Sequence, residues 1–267
     1  MKRHAATLAS AAALLLAVAL AGCAVNVPPP KTAGSTGTAA PAADAAAVEK
    51  GWANVLSKYV DEAGKIDFVG VSKDRAELDA YVAWIGRVSP ANTPAAFPTK
   101  DARLAYYINA YNALALYNVL ESGMPKDLNA VKVRFFYRNK LGIGGEKMSL
   151  YDLENKIIRP IGDPRVHFAL NCMVRGCPRL PREPFRADQL DLELQATAQY
   201  FLNEPRNVDV QADKQTVRFS QILQFYTEDF LKKSPGLIAY ANQYRESKIP
   251  EGYKVDFIPY DWILNQK

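Results

Sequence analysis

Two histidines and three cysteines occur in the 267 residues, and three of these five side chains lie within one eleven-residue run. The run is His167-Phe168-Ala169-Leu170-Asn171-Cys172-Met173-Val174-Arg175-Gly176-Cys177. The other two, His4 and Cys23, fall in an N-terminal stretch with the marks of an export signal. Any imidazole or thiol chemistry in the folded part therefore has to use the 167–177 run. Four arrangements fit these residue types. Cys172 can be a nucleophile whose thiolate is favoured by a neighbouring His167. Cys172 and Cys177 can form a disulfide, the commonest use of a cysteine pair in an exported domain. His167, Cys172 and Cys177 can bind zinc, although His-x4-Cys-x4-Cys matches no usual short-loop spacing and lacks a fourth ligand, so no metal is expected. Both thiols can also be reduced, buried and inert. Gly176 and Pro178 flank Cys177 and suit a stiff loop closure, which makes Cys172 the preferred nucleophile.

The first 23 residues read as a lipoprotein signal. A basic start, Met1-Lys2-Arg3-His4, precedes an apolar run from Ala5 to Ala21 that is short for a bilayer span. It ends in Leu20-Ala21-Gly22-Cys23, which resembles a lipobox, with Cys23 as the lipidated residue. Ala24, in place of Asp, suggests outer-membrane sorting. The expected location is the periplasm, on a membrane held through lipid on Cys23. Residues 24–47 are rich in Ala, Pro, Gly, Ser and Thr and read as a disordered tether with nothing to pack on the fold. Residues 48–267 are long enough for one domain with a sizeable core. The charge is mild: 33 Lys and Arg against 28 Asp and Glu give +5, and 31 against 28 give +3 without Lys2 and Arg3. With no long basic run, nucleic acid is not an expected partner. An envelope peptide or protein is.

The elements that must position the 167–177 run can be read from periodicity. Helical spacing predicts helices over 48–60, 75–88, 101–120 and 187–202. Ser149-Leu150-Tyr151-Asp152 resembles a capping box that opens a helix through Ile158. Ser220 caps another helix, through Phe230. Residues 131–137, 166–171 and 253–258 read as strands, 141–145 as a glycine-rich turn, and 208–211 with 217–219 as a hairpin. No regular strand–helix repeat emerges. The expected fold is α+β: a single mixed domain with several helices around a small, mainly antiparallel sheet. On an unbroken strand His167 and Cys172 would face opposite ways, so their pairing needs a bend at Asn171–Cys172.

Four stretches together carry a family resemblance. They are Ile108-Asn109-Ala110-Tyr111-Asn112-Ala113-Leu114, then Lys147-Met148-Ser149-Leu150-Tyr151-Asp152-Leu153-Glu154 with Ile158-Arg159, then Asp163 to Cys172 followed by Gly176-Cys177-Pro178, and finally Tyr260-Asp261-Trp262 with Leu264-Asn265. From about Ala105 to Asn265 the chain resembles the domain-of-unknown-function 547 family. The resemblance implies that the family's Glu, His and Cys fall at Glu154, His167 and Cys172, and that the second cysteine position is the more variable. It departs from the family where Met173-Val174-Arg175 replaces small residues and narrows the approach to Cys172. A Glu–His–Cys set is similar in kind to papain-like and transglutaminase-like hydrolases. The implied function is a Cys/His acyl-transfer hydrolase acting on a peptide, amide or thioester, with no cofactor. Cys172 would be nucleophile, His167 base and Glu154 the orienting group, with Asp261 as a rival for that role. The alternative is a non-catalytic interaction or sensor module with a Cys172–Cys177 disulfide.

Asn109 and Asn112 share one face of the 101–120 helix and are expected to hold the 165–178 loop by hydrogen bonds to its backbone. Arg165 and Arg159 can pair with a substrate carboxylate or with Glu154.

Overall fold

The computed structural model describes residues 24–30 and 42–267, with the side chains of 42–44 excepted. The export signal, Cys23 and residues 31–41 lie outside the described residues. Chain order begins with β1 (Val25–Asn26), α1 (Ala42–Tyr59), α2 (Phe68–Lys73), α3 (Ala76–Arg87) and α4 (Lys100–Glu121). A hairpin follows, of β2 (Asn139–Ile143) and β3 (Glu146–Met148). Next come α5 (Leu150–Asp152), which runs on as a π-helical turn over Leu153–Ile158, and α6 (Leu190–Asn203). The last part holds β4 (Val208–Gln211), β5 (Thr216–Ser220), α7 (Gln221–Phe225), α8 (Thr227–Leu231), α9 (Leu237–Asn242) and β6 (Lys254–Ile258). The fold is α+β.

The long helix α4 is the spine. Thr99 caps it, accepting from the Ala102 N–H at 3.0 Å, and every residue from Leu104 to Val119 is buried. A helix buried all round must satisfy each polar side chain internally. Three asparagines on α4 do so by clasping other segments. Asn109 both donates to the Phe185 carbonyl (2.8 Å) and accepts from the Phe185 N–H (3.0 Å). Asn112 donates to the Ala169 carbonyl (3.0 Å) and accepts from the Asn171 N–H (2.8 Å). Asn118 donates to the Phe135 carbonyl at 3.0 Å. Thus Asn112 holds the 165–178 loop as expected, whereas Asn109 holds a segment further along the chain.

Three expectations about local structure are corrected. Residues 131–137 form no strand. A 3-10 turn (Leu128–Val131), capped by Asp127, leads into a π-helical turn (Arg134–Arg138). Phe135 is fully buried there, so burial of one aromatic outweighs the β-propensity of the run. Residues 141–143 belong to β2, and only Gly144 and Gly145, both at positive φ, make the turn. Residues 166–171 are not a strand either. Asp163 accepts from the Arg165 N–H (3.0 Å) and Pro164 opens a 3-10 helix over Pro164–Phe168. Proline at a helix start costs no donor and presets φ, and this decides against alternation.

The sheet expectation is corrected too. Among the described residues there are two small three-stranded sheets, β1-β2-β3 and β4-β5-β6, each with one parallel and one antiparallel pair. Two apolar clusters underlie them, one around α1, α3 and α4, the other around α6, β5 and α8. Val166 packs into the first and Phe168 into the second, so His167 sits on their seam.

Part of the expected tether packs on the fold. Val25 and Asn26 pair in parallel with Asn139 and Lys140. Val27 is buried and donates its N–H to the Lys140 carbonyl (3.0 Å), and the Tyr117 hydroxyl donates to the Pro28 carbonyl (2.8 Å). An apolar valine beside an open strand edge gains both burial and ladder bonds, which outweighs the polarity of the surrounding stretch. Deleting residues 24–30 should cost about 3 kcal/mol, roughly 6–12 °C in Tm. Shortening the stretch within residues 31–41, which has no large apolar side chain, should leave Tm unchanged by calorimetry.

Candidate thiol site

The cysteine loop is built by backbone clasps. Beyond Asn112, the Asn171 amide donates to the Pro178 carbonyl (2.6 Å) and its oxygen accepts from the Met173 N–H (2.7 Å). Met173 takes φ +73° between these bonds. A buried non-glycine residue in the left-handed region is strained, and the surrounding bonds over-determine it. The C-terminal segment completes the loop. Arg175 N–H donates to the Ile263 carbonyl (2.9 Å), Gly176 N–H to the Asp261 carbonyl (2.8 Å), and Asn265 N–H to the Met173 carbonyl (3.0 Å). A Cβ on Gly176 would lie 2.8 Å from both the Asp261 nitrogen and the Tyr260 ring, so glycine is required for Tyr260 to approach.

The result is a close pair of free thiols. Cys172 Sγ and Cys177 Sγ are 2.9 Å apart, and the Tyr260 hydroxyl lies 3.3 Å and 3.1 Å from them. The Cys172 N–H donates to Cys177 Sγ at 3.0 Å. The two sulfurs are not equivalent. The hydrogen bond to Cys177, together with burial, pushes the Cys172 thiol well above the usual range. Burial also opposes ionisation of Cys177. There, however, the bonds from Cys172 Sγ, Tyr260 and the backbone outweigh it and hold the thiol below the usual range. The first proton therefore leaves Cys177, and Cys172 stays its protonated partner.

His167 is held by a carboxylate that sequence reasoning missed. Its Nε2 lies 3.0 Å from Asp229 Oδ2. The same carboxylate accepts from Arg159 Nε (2.6 Å) and Lys232 Nζ (2.8 Å). The bond to His167, then those to Arg159 and Lys232, hold the Asp229 carboxyl well below its usual range despite burial. Asp229 is thus ionised and accepts, so the neutral ring carries its proton on Nε2. The buried Nδ1 has no hydrogen-bond partner. The Tyr226 ring stacks on the imidazole with centroids 3.7 Å apart and planes within 13°.

Glu154 is buried, but it does not orient His167. Its Oε2 accepts from the Tyr111 hydroxyl at 3.4 Å and its charge faces the Tyr226 hydroxyl. The expected Cys172–His167 bond is likewise not formed, since Nε2 serves Asp229 and Nδ1 is unpaired. Burial raises Tyr111, Tyr226 and Tyr260 well above the usual phenol range, with the Glu154 charge adding to the first two and the thiols to the third. All three stay protonated donors at neutral pH.

These groups line one cleft of 360 Å³, which takes in Glu154, Arg159, His167, Cys172, Cys177 and Tyr226. The wall is strongly aromatic, including Phe136, Tyr137, Tyr151, Phe225, Tyr260 and Trp262. Three expected residues lie elsewhere. Asn109 clasps Phe185. Arg165 bridges Asp163 (2.7 Å) and Asp191 (2.8 Å), tying the 3-10 helix to α6. Asp261 is exposed and its side chain accepts from the Ile263 N–H (3.0 Å), so it shapes the C-terminal strap. Asp229, Tyr226 and Asn171 were not singled out from sequence. Asn171 sits beside Cys172, where a buried amide in a turn is the usual means of holding a loop. Nothing local marks Asp229, which stands 62 residues from its histidine. Among the described residues no group of three or more His, Cys, Asp or Glu is gathered to hold a metal ion.

The fold and the site define a mixed α+β protein with a cleft that gathers a thiol pair, a carboxylate-held imidazole and a buried glutamate. Residues 95–202 match the family described as "Protein of unknown function, DUF547". The match takes in α4, Glu154, His167 and both cysteines, while Tyr226, Asp229 and Tyr260 lie beyond it. No curated protein and no solved structure matches the chain.

Proposed function

We propose that the protein is a lipid-anchored envelope enzyme whose cleft performs thiol-dependent acyl transfer on a peptide, amide or thioester. The carrying observation is the polarised sulfur pair, with donors concentrated on Cys177, in the same cleft as a histidine whose Nδ1 is free. This moves the nucleophile from Cys172 to Cys177. The Cys177 thiolate attacks the acyl carbon and forms a thioester as the bond to the leaving group breaks. His167, charged on Nδ1 and held by Asp229, gives that proton to the leaving amine or thiol. The neutral ring then takes a proton from water, which releases the acid and restores Cys177. Glu154 and Tyr111 position Tyr226, and through it the plane of the imidazole. The anchor is lipid on Cys23, and the Ala24 that follows favours the outer membrane.

The 2.9 Å sulfur separation favours a second reading, a non-catalytic module in which the pair closes to a disulfide. Turnover separates the two. Reduced protein given activated peptide thioesters should accumulate an acyl adduct on Cys177, visible by mass spectrometry. The adduct should be lost in Cys177→Ser, while His167→Ala should form it but fail to release it. If reduced protein forms no adduct across thioester, ester and amide probes, the module reading stands instead.

A further inference from the structure

The mouth of the cleft and the first residues of β1 meet at one end of the first sheet. Because β1 runs parallel to β2, with Val25 opposite Asn139, the chain upstream of Val25 points toward Arg138 and Tyr137. The antiparallel β3 pairs Met148 with Leu141 and so delivers Tyr151 to the same end. Tyr137 and Tyr151 pack together there, with centroids 4.6 Å apart, and both line the cleft.

This rim is exposed and apolar. Val133 is 57% exposed, Phe225 48%, Tyr137 45% and Tyr151 42%. Lys132, Arg134 and Arg138 stand among them, and among the described residues none is paired with a carboxylate. Lys132 instead lies over the Trp262 ring, 4.1 Å from its centroid. The nearby Asp152 is already occupied by Lys140 and Lys156. Exposed tyrosines, a phenylalanine and a valine interleaved with unpaired cations have the chemistry of a bilayer interface, where amphipathic rings sit at headgroup depth and basic side chains meet anionic lipid.

We propose that this rim docks on the bilayer, so that the cleft opens onto the membrane surface and takes acyl substrates presented there. The proposal rests on the reading of Cys23 as the lipid anchor. Cys23 precedes Val25 by two residues, at most about 7 Å of extended chain. Because β1 is paired into the sheet, a lipid on Cys23 cannot hold the domain at tether length. It brings the Tyr137–Tyr151 end of the sheet to the headgroups. Residues 24–30, paired on β2, then act as a short mount and not as a leash.

The test uses the full chain from membranes, reconstituted in vesicles of phosphatidylethanolamine and phosphatidylglycerol doped with a diazirine phospholipid. Intact mass reads the anchor, and the peptides that crosslink read the rim. Crosslinks concentrated on 132–138, Tyr151 and Phe225 support the proposal. An acylated chain with crosslinks on α6 or elsewhere, or only beside Cys23, overturns it. An unacylated wild-type chain overturns the anchor reading separately. The Cys23→Ser chain is then sedimented with the same vesicles. Its binding should fall about fivefold for each of Arg134→Gln and Arg138→Gln. Binding that ignores both changes, or no binding at all, overturns the rim.

Discussion

Replacing Cys177 with serine should abolish alkylation of the reduced protein at neutral pH, whereas replacing Cys172 should leave one reactive thiol. The expectation follows from the hydrogen bonds. Cys177 Sγ receives the Cys172 N–H at 3.0 Å and sits 3.1 Å from the Tyr260 hydroxyl, and it keeps both neighbours when Cys172 becomes Ser. Cys172 has the Tyr260 hydroxyl at 3.3 Å, while its contact with Cys177 and its burial keep its proton on. The thiolate is the alkylated form, so a thiol held below its usual range reacts faster at pH 7, by about threefold for each unit of lowering once the weaker nucleophilicity of the more stable thiolate is counted. Iodoacetamide rates measured from pH 5 to 10 should give one transition below the ordinary thiol range in wild type. The same transition should remain in Cys172→Ser, with a modest upward shift for the lost sulfur donor. In Cys177→Ser the only transition should lie above the wild-type one, because burial still opposes ionisation of Cys172 after its contact with the Cys177 thiol is gone. Low-pH labelling that follows Cys172 would return the nucleophile to the position favoured by its nearness to His167 in sequence.

Asp229→Ala should destabilise by about 1–3 kcal/mol. It leaves the buried His167 ring and the half-buried Arg159 without the carboxylate they share, whereas Lys232, largely exposed, loses little. Asp229→Asn should cost less, since an amide oxygen can still accept from Nε2. The acid side of the stability profile checks the same cluster. The folded carboxyl is held well below its unfolded value, so its contribution is complete above the unfolded pKa of about 4 and is lost as pH falls toward the folded value. Wild-type Tm should therefore fall steeply below about pH 4, and the Asp229→Asn profile should be flatter over that window. Parallel profiles would mean that Asp229 contributes little to acid stability. In the catalytic assay Asp229→Asn should slow both acylation and deacylation, because the imidazole that moves the proton in each step loses the carboxylate that holds its Nε2.

Helices, and the restriction of thiol and imidazole chemistry to one run, were legible from sequence because both depend on residue type and local spacing. The helices from α3 to α6 and the β4–β5 hairpin lie within a few residues of their periodic signals, whereas α1 starts six residues ahead of its signal and the short α2 was not expected. The Asn112 clasp was also legible, since an amide on an apolar helix must find a partner. Residues 131–137 and 166–171 were misread for one reason. Their aromatic and branched residues suit a strand, but the first segment buries Phe135 from a π-helical turn, and the second buries Val166 and Phe168 in two different clusters from a 3-10 helix. Propensity is a weak term against burial of that size.

What the sequence alone determined is which side chains could do chemistry: His167, Cys172 and Cys177, with Glu154 supported by its family motif. Tertiary structure decided their pairing. The 3-10 helix removed the strand alternation that separated His167 from Cys172, yet it turned the imidazole toward Asp229 on α8. The loop closed Cys172 on Cys177, and the C-terminal strap brought Tyr260 to both sulfurs. Asp229 and Tyr260 stand 62 to 88 residues from their partners in sequence. No local pattern encodes them, because such contacts arise only when the two apolar clusters pack together and leave the polar groups on their seam to satisfy one another.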